Sequence, residues 1–323
     1  MKKYFFFLKL VLLCLIFFWI FKSVDTKDAL SVLKKTNFLL FFTAFVLNNL
    51  SNIILTIKWQ RLTNPLKIKS GFLELLKLNY ISIFYSSFIP GQSSGELIKG
   101  LKLTQKEGAT QKVWMPIFVD KITNFLIVLI IGFIAILSDN VFRKNLSLMF
   151  IVSFLTVSFL LLTVILFSED TEQFIAFLKK ILIKTLTLFK INTDRIKDFS
   201  LTYLNEYKKH RLLMAETLIW SLLTKLPHIF SFHFLALSLN MNLTILQCMW
   251  LFSIVSVVTL LPISFSGLGV REGTVITLLS QINIERSNSL SFSILIFMVG
   301  ILTALVGGIL ELFSELEIAR KPK

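Results

Sequence analysis

FIPGQSSGELIKG, residues 88–100, ends an apolar run at Pro90-Gly91 and then sets Glu96 and Lys99 where lipid-facing side chains are expected. LPISFSGLGVREG, residues 261–273, repeats the device with Pro262, Gly267 and Gly269 followed by Arg271 and Glu272. A charge at the centre of a bilayer costs about 2.5–3.5 kcal/mol on insertion scales. Two breaks, each carrying an acid and a base, therefore read as two parts of one site rather than as two kinks. A Glu–Lys or Arg–Glu pair that merely ties helices together is the structural alternative.

The chain around the breaks is built for lipid. Of its 323 residues 55% are hydrophobic, and the mean hydropathy is +0.77. Apolar runs at 5–21, 38–57, 113–137, 147–167, 212–238, 243–261 and 290–312 approach or exceed the roughly 20 residues that cross a bilayer. The run 72–89 is borderline. Lipid leaves backbone groups no water to bond, so such spans are helices. Run 5–21 follows Lys2-Lys3 without a small-residue cleavage site and reads as a retained anchor. Cys14 and Cys248 both lie in apolar runs and point to neither a disulfide nor a metal site.

The net charge of +15 fits basic loops held on the cytoplasmic side. It is also compatible with attraction to anionic lipid headgroups. Nothing in the chain resembles a nucleic-acid-binding module. If 72–89 were an ordinary span, the basic segments 96–112 and 168–211 would lie outside, inverting the positive-inside rule. If 72–112 instead enters from the cytoplasm, turns at Pro90-Gly91 and returns, both segments move inside. The same reasoning makes 243–283 a hairpin entering from the opposite face. The expected fold is an all-α polytopic membrane protein, a single integral domain over 1–323. It has about six full transmembrane helices plus two oppositely oriented re-entrant hairpins broken at Pro and Gly, with both termini cytoplasmic. Paired broken helices of opposite orientation are how several transporters build a midplane site. No residue-level repeat between the halves is evident. Segment 171–211, with Phe174, Phe177, Leu178, Ile181 and Leu182 at helical spacing among lysines, reads as an amphipathic helix on the cytoplasmic face.

Each break suits an anion. A helix start offers free N–H groups and partial positive charge. Ser93 or Ser94 is placed to cap a helix near Gly95-Glu96, and Ser264 or Ser266 to do so before Gly267 and Gly269. Gly91 and Gly95, like Gly269 and Gly273, have the four-residue spacing of close helix contacts. Lys99 and Arg271 add full charge, Arg with the fork that grips phosphate. Glu96 and Glu272 balance them when the site is empty.

Other ionisable residues in apolar runs have milder readings. Asp120-Lys121, with Asn124 one turn on, suits a structural pair and a cavity role equally. His228 and His233, near Lys225 and Pro227, are five apart, the wrong spacing for one helical face and hence for a metal site. Lys58-Trp59-Gln60-Arg61 reads as an interfacial belt. Glu311 lies near a helix end within reach of the interface. There is no catalytic Ser-His-Asp set, phosphate-binding ATPase loop or zinc spacing, and no cofactor is implied.

PGQSSGELIKG, VDKITNFL and LPISFSGLGVREG, in that order, together with IKWQRL at 57–62, resemble the lysylphosphatidylglycerol synthase transmembrane-region family, also termed flippase-like, over about 5–315. Lys99 stands where the family has Arg, Asp120-Lys121 where it has Glu-Arg, Asn124 where it has an acid, and Ser266 where glycine is common. The resemblance implies a membrane domain that binds or moves a lipid with an anionic headgroup. It also implies association with envelope assembly, and a stand-alone form lacking the soluble aminoacyl-transferase domain. The expected site is Pro90, Gly91, Gly95, Glu96, Lys99, Asp120, Lys121, Pro262, Gly267, Gly269, Arg271 and Glu272. The expected activity is translocation of an anionic or polyprenyl-phosphate-linked lipid across a bacterial inner membrane. The alternatives are a lipid-binding scaffold for an envelope glycosyltransferase and a membrane-embedded lipid-modifying enzyme.

Overall fold

The computed structural model of the chain describes residues 34, 36–88, 94–108, 110–143, 146–167, 207, 211–260, 267 and 269–320. The anchor at 5–21, nearly all of 171–211, and Pro90, Gly91, Ser93, Pro262, Ser264 and Ser266 lie outside the described residues. What is described is helical, with no strand. The helices are α1 (Phe38–Thr63), α2 (Phe72–Phe88), α3 (Ser94–Glu107), α4 (Thr110–Ser138), α5 (Leu146–Phe167), α6 (Arg211–Ser238), α7 (Ile245–Thr259), α8 (Val270–Ser280) and α9 (Arg286–Arg320).

Local chemistry sets several of these boundaries. Asn37 Oδ1 accepts the backbone N–H groups of Leu39 and Leu40 and so caps α1. Pro65, in the 3-10 turn Asn64–Leu66, ends that helix. Thr244 and Gln247 exchange bonds as a capping box that starts α7. Among the described residues, three segments are long and apolar enough to cross a membrane: Phe38–Leu66, Lys112–Ser138 and Arg286–Ser314. Helices α2, α3, α7 and α8, with 17, 14, 15 and 11 residues, fall short of the roughly 20 residues a span requires.

Helices α1 and α6 run antiparallel and make the most extensive helix contact among those described. The Asn37 N–H donates to the Ser238 carbonyl (2.9 Å), Ser231 Oγ to the Ala44 carbonyl (2.9 Å) and Ser51 Oγ to the Thr224 carbonyl. Arg61 faces Glu216 at the other end, at 3.6 Å. Small hydroxyl residues suit such a seam because they let two backbones approach and then bond across the gap.

Helices α2 and α3 form a hairpin. At its closed end a Cβ on Gly95 would collide with the Ser82 carbonyl and with Ser86 Oγ, which accepts the Gly95 N–H at 3.1 Å. At its open end Lys106 Nζ bonds Glu74 Oε1 (2.7 Å), and Glu107 Oε1 accepts the Lys69 N–H (3.2 Å). Helices α7 and α8 pack as a second hairpin. Gly267, at φ +76°, turns the chain close beside Thr259.

The two halves share one plan. In each, a long helix precedes a hairpin, and a second long helix follows: α1 to α4, then α6 to α9. The packing is exchanged between halves. Helix α2 packs on α9, and α7 packs on α4. Both contacts hinge on a glycine. A Cβ on Gly307 of α9 would meet the carbonyl of Tyr80, the ninth residue of α2. A Cβ on Gly132 of α4 would lie 2.8 Å from the Cβ of Ser253, the ninth residue of α7. With α1 and α6 antiparallel, the halves are inverted copies in arrangement. The sequence showed no such repeat because the correspondence lies in helix order and in one glycine per interface, while side chains differ.

Candidate functional site

Beside α1, helices α3 to α7 line an open cavity of about 510 Å³. Its polar wall comprises Glu96 from α3, Asp120, Lys121 and Asn124 from α4, and Lys225 and His228 from α6. Phe125, Phe159 and Phe252 form much of the apolar wall. Spacing explains the α4 contribution: Asp120 and Asn124 are four apart and share a face. Asn124 Nδ2 donates to Asp120 Oδ1 at 3.0 Å.

Behind the wall lies a layer of buried charge. Asp120 pairs with Lys58 of α1, at 2.8 Å, and not with its neighbour Lys121. Lys58 also bonds Thr123 Oγ1 (2.9 Å) and the Asp120 carbonyl (3.3 Å), and none of its surface is exposed. The ammonium of Lys99, 1% exposed, stands 3.7 Å from the centroid of the Trp59 ring and 3.7 Å from Glu96 Oε2. An aromatic face stabilises a desolvated cation, by about 2 kcal/mol or more. Glu96 and Lys99 meet because three residues bring side chains to one face of α3.

These contacts correct the interfacial-belt reading of Lys58-Trp59. Both residues are wholly buried, and they hold the aspartate and the lysine that flank the cavity. A second correction concerns Glu311. It does not reach an interface: at 1% exposure it accepts from Lys102 Nζ (2.8 Å) and Tyr85 Oη (2.9 Å), tying the first hairpin to α9.

Arg271 and Glu272 stand elsewhere. Arg271 bonds the Glu272 carboxylate and donates from Nε to Ser293 Oγ (3.2 Å) on α9, and its guanidinium lies 5.0 Å from the Phe297 ring centroid. Glu272 Oε2 accepts the Gly269 N–H at 2.6 Å, closing the first turn of α8. None of these groups lines the cavity, to which the second hairpin contributes Phe252, Ser256 and Leu260. The close contact read into the glycine spacing occurs at Gly95. A Cβ on Gly269 or Gly273 would meet nothing within 4 Å, although Gly269 is still required by its φ of +80°.

Lys225 and His228 are the cavity residues that the sequence reading passed over. His233 does leave that face, with Nδ1 2.9 Å from the Leu243 carbonyl, whereas His228 stays, with Nδ1 3.1 Å from the Thr224 carbonyl. The available signal was a lysine within an apolar run, two residues before Pro227, with no acid one turn away along the helix.

A family model described as the lysylphosphatidylglycerol synthase TM region matches residues 6–308. The chain belongs to this family. Among curated proteins, a relative of the lysylphosphatidylglycerol synthase TM-region chain is the UPF0104 membrane protein PH1989 of Pyrococcus horikoshii. The two are 23% identical over 328 residues, covering 97% of each. No solved structure matches. The family and the long apolar helices make this a membrane protein.

Proposed function

We propose that the chain is a flippase-like translocase of a lipid with an anionic headgroup. The observation that carries this reading is a pair of lysines that no carboxylate contacts directly among the described residues. Lys121 and Lys225 both line the cavity, and neither makes a hydrogen bond or ion pair among the described residues. Together with Lys58 and Lys99 behind the wall, four lysines face two carboxylates, Glu96 and Asp120. A surplus of positive charge within helices that cross lipid is costly when empty and favours an arriving anion. The phenylalanine wall suits acyl or prenyl chains leaving the headgroup for the bilayer. A cationic headgroup, such as a lysine ester of phosphatidylglycerol, fits this charge balance poorly.

In this reading Glu96, Asp120, Lys121, Lys225 and His228 surround the headgroup, with Lys58 and Lys99 holding the carboxylates in place. Arg271 and Glu272 act at a distance, by fixing the second hairpin on α9. The two hairpins are re-entrant, one from each face, and their short helices support this. The inverted halves support alternation of access between the two sides. In this reading both termini are cytoplasmic, which the positive-inside rule favours for the basic segments, and the membrane is the bacterial inner membrane.

The test is headgroup accessibility in proteoliposomes holding the full chain. Fluorescent phosphatidylglycerol and a polyprenyl-phosphate-linked lipid are each compared with phosphatidylcholine. Faster equilibration of an anionic lipid, lost in Lys225→Met, is expected. Equal rates for all three lipids, or an unaltered rate in Lys225→Met, would overturn the reading. Saturable binding of an anionic lipid without movement would assign a scaffold instead.

A further inference from the structure

Both carboxylates of the cavity are already engaged. Asp120 holds Lys58 at 2.8 Å and the Asn124 amide at 3.0 Å. Glu96 stands 3.7 Å from Lys99. No further acid lines the space for Lys121 or Lys225. Of these two, Lys225 stands on the wall that carries no acid. Helix α6 packs on α1, α4, α7 and α9. Towards Lys225, α1 presents Lys58, and α4 presents Asp120 and Lys121. From α3 comes Glu96, and from α6 itself His228, with Nδ1 against the Thr224 carbonyl. The adjoining α7 brings only Phe252, Ser256 and Leu260, and no residue of α9 lines the cavity.

The empty cavity thus gathers more cations than anions among helices that cross lipid, which is unfavourable. An arginine here would have to stay charged, whereas a lysine can shed its proton and regain it. The cavity is open, so water reaches the amine to take that proton. An arriving anion favours the ammonium form again. Building on the translocase reading, we infer that each anionic headgroup enters this cavity together with one proton, which the Lys225 amine takes up and releases when the headgroup leaves. The amine becomes an ammonium ion and no other bond changes. A singly charged headgroup and its proton add no net charge, so the loaded and empty cavities match. The pH gradient, and not the membrane voltage, then drives the lipid in the direction the proton moves.

The experiment measures binding and proton uptake together. Phosphatidylglycerol is titrated into the purified full chain in micelles from about pH 7 to about pH 10, above the ordinary histidine value of roughly 6.5. Calorimetry in two buffers of different ionisation enthalpy counts the protons, with phosphatidylcholine as the reference lipid. The phosphodiester keeps its charge throughout. Wild-type affinity is expected to fall as pH rises, approaching tenfold per pH unit, with up to one proton taken up per lipid. Lys225→Arg, whose guanidinium stays charged, is expected to bind at every pH with a flat profile and no uptake. Monodispersity on gel filtration controls for folding, and the wild-type profile needs no variant. A flat wild-type profile without uptake, or an unaltered slope in Lys225→Arg, would overturn the proton assignment and leave the anionic-lipid reading standing. A flat profile in which added chloride displaces the lipid would overturn it too, and would make a small anion the counter-ion of the empty cavity. Failure of phosphatidylglycerol to exceed phosphatidylcholine at any pH would overturn both readings together.

Discussion

Replacing Lys58 with methionine tests the buried layer behind the cavity. The side chain is fully enclosed and its ammonium has three oxygen partners, on Asp120, on Thr123 and on the Asp120 backbone. Methionine keeps most of the volume and removes the charge. Asp120, itself 3% exposed, then retains the Asn124 amide as its one side-chain donor among the described residues. Breaking a buried pair by removing one partner costs about 3–5 kcal/mol, because the remaining charge is left uncompensated. Removing both partners is far milder, since no orphan charge remains. Lys58→Met should therefore destabilise the protein by about 3–5 kcal/mol, and Lys58→Met with Asp120→Leu should recover much of that loss. Lys121→Met, which breaks no pair, should change stability by about 0.5 kcal/mol or less. Unfolding of the four proteins in detergent micelles, followed by circular dichroism, gives the order. If Lys58→Met and Lys121→Met were equally stable, or if the double variant were worse than Lys58→Met, the pairing of Asp120 with Lys58 would be refuted.

Gly307→Leu should prevent folding, and Gly95→Ala should destabilise by about 1–3 kcal/mol through overpacking, because both meet backbone carbonyls. Gly273→Ala meets open space and should be neutral within about 0.5 kcal/mol in the same unfolding assay. Glu311→Leu leaves Lys102 without its carboxylate at a site where Lys102 is a quarter exposed. A loss of about 1–2 kcal/mol is expected, below that at Lys58 because water reaches the amine, and faster proteolysis between α2 and α3 would report it. Single cysteines at Lys106 and at Ser287 should react with impermeant thiol reagents from opposite sides of the membrane. Labelling of both from one side would contradict inverted halves.

The helical class was legible from hydropathy alone, because lipid enforces it. So were the helix ends at Phe88 and Thr259, which shortly precede Pro90-Gly91 and Pro262 in the sequence. The pairing of α2 with α3 was legible from the charge of 96–112, which is difficult to place on the outer side. Partners were harder to read. Asp120 has Lys121 beside it in sequence, but adjacent helical residues point some 100° apart, and the true partner lies on another helix. Lys58 and Trp59 carry the composition of a membrane interface, and only tertiary packing distinguishes that from a buried cation beside a ring. Arg271-Glu272 had the right chemistry for a phosphate site, yet Glu272 is occupied in capping α8 and Arg271 in binding α9. Lys225 and His228 were missed because a metal reading asked only whether the two histidines share a face.

Among the described residues, helix α5 has no counterpart in the shared plan of the two halves. The inversion gives it a purpose that is a matter of parity. A chain that must repeat a unit upside down has to cross the membrane an odd number of times between equivalent points. In the re-entrant topology proposed above, α1 and α4 provide two crossings from the start of α1 to the start of α6, and the hairpin returns to the side from which it came. A copy added there would be right side up, and α1 could not lie antiparallel to α6. One further apolar passage corrects the count. The 22 residues of α5 contain no charged side chain, and α5 packs chiefly on α4. On that topology α5 tolerates change along its lipid face, whereas its deletion would turn the second half of the protein over.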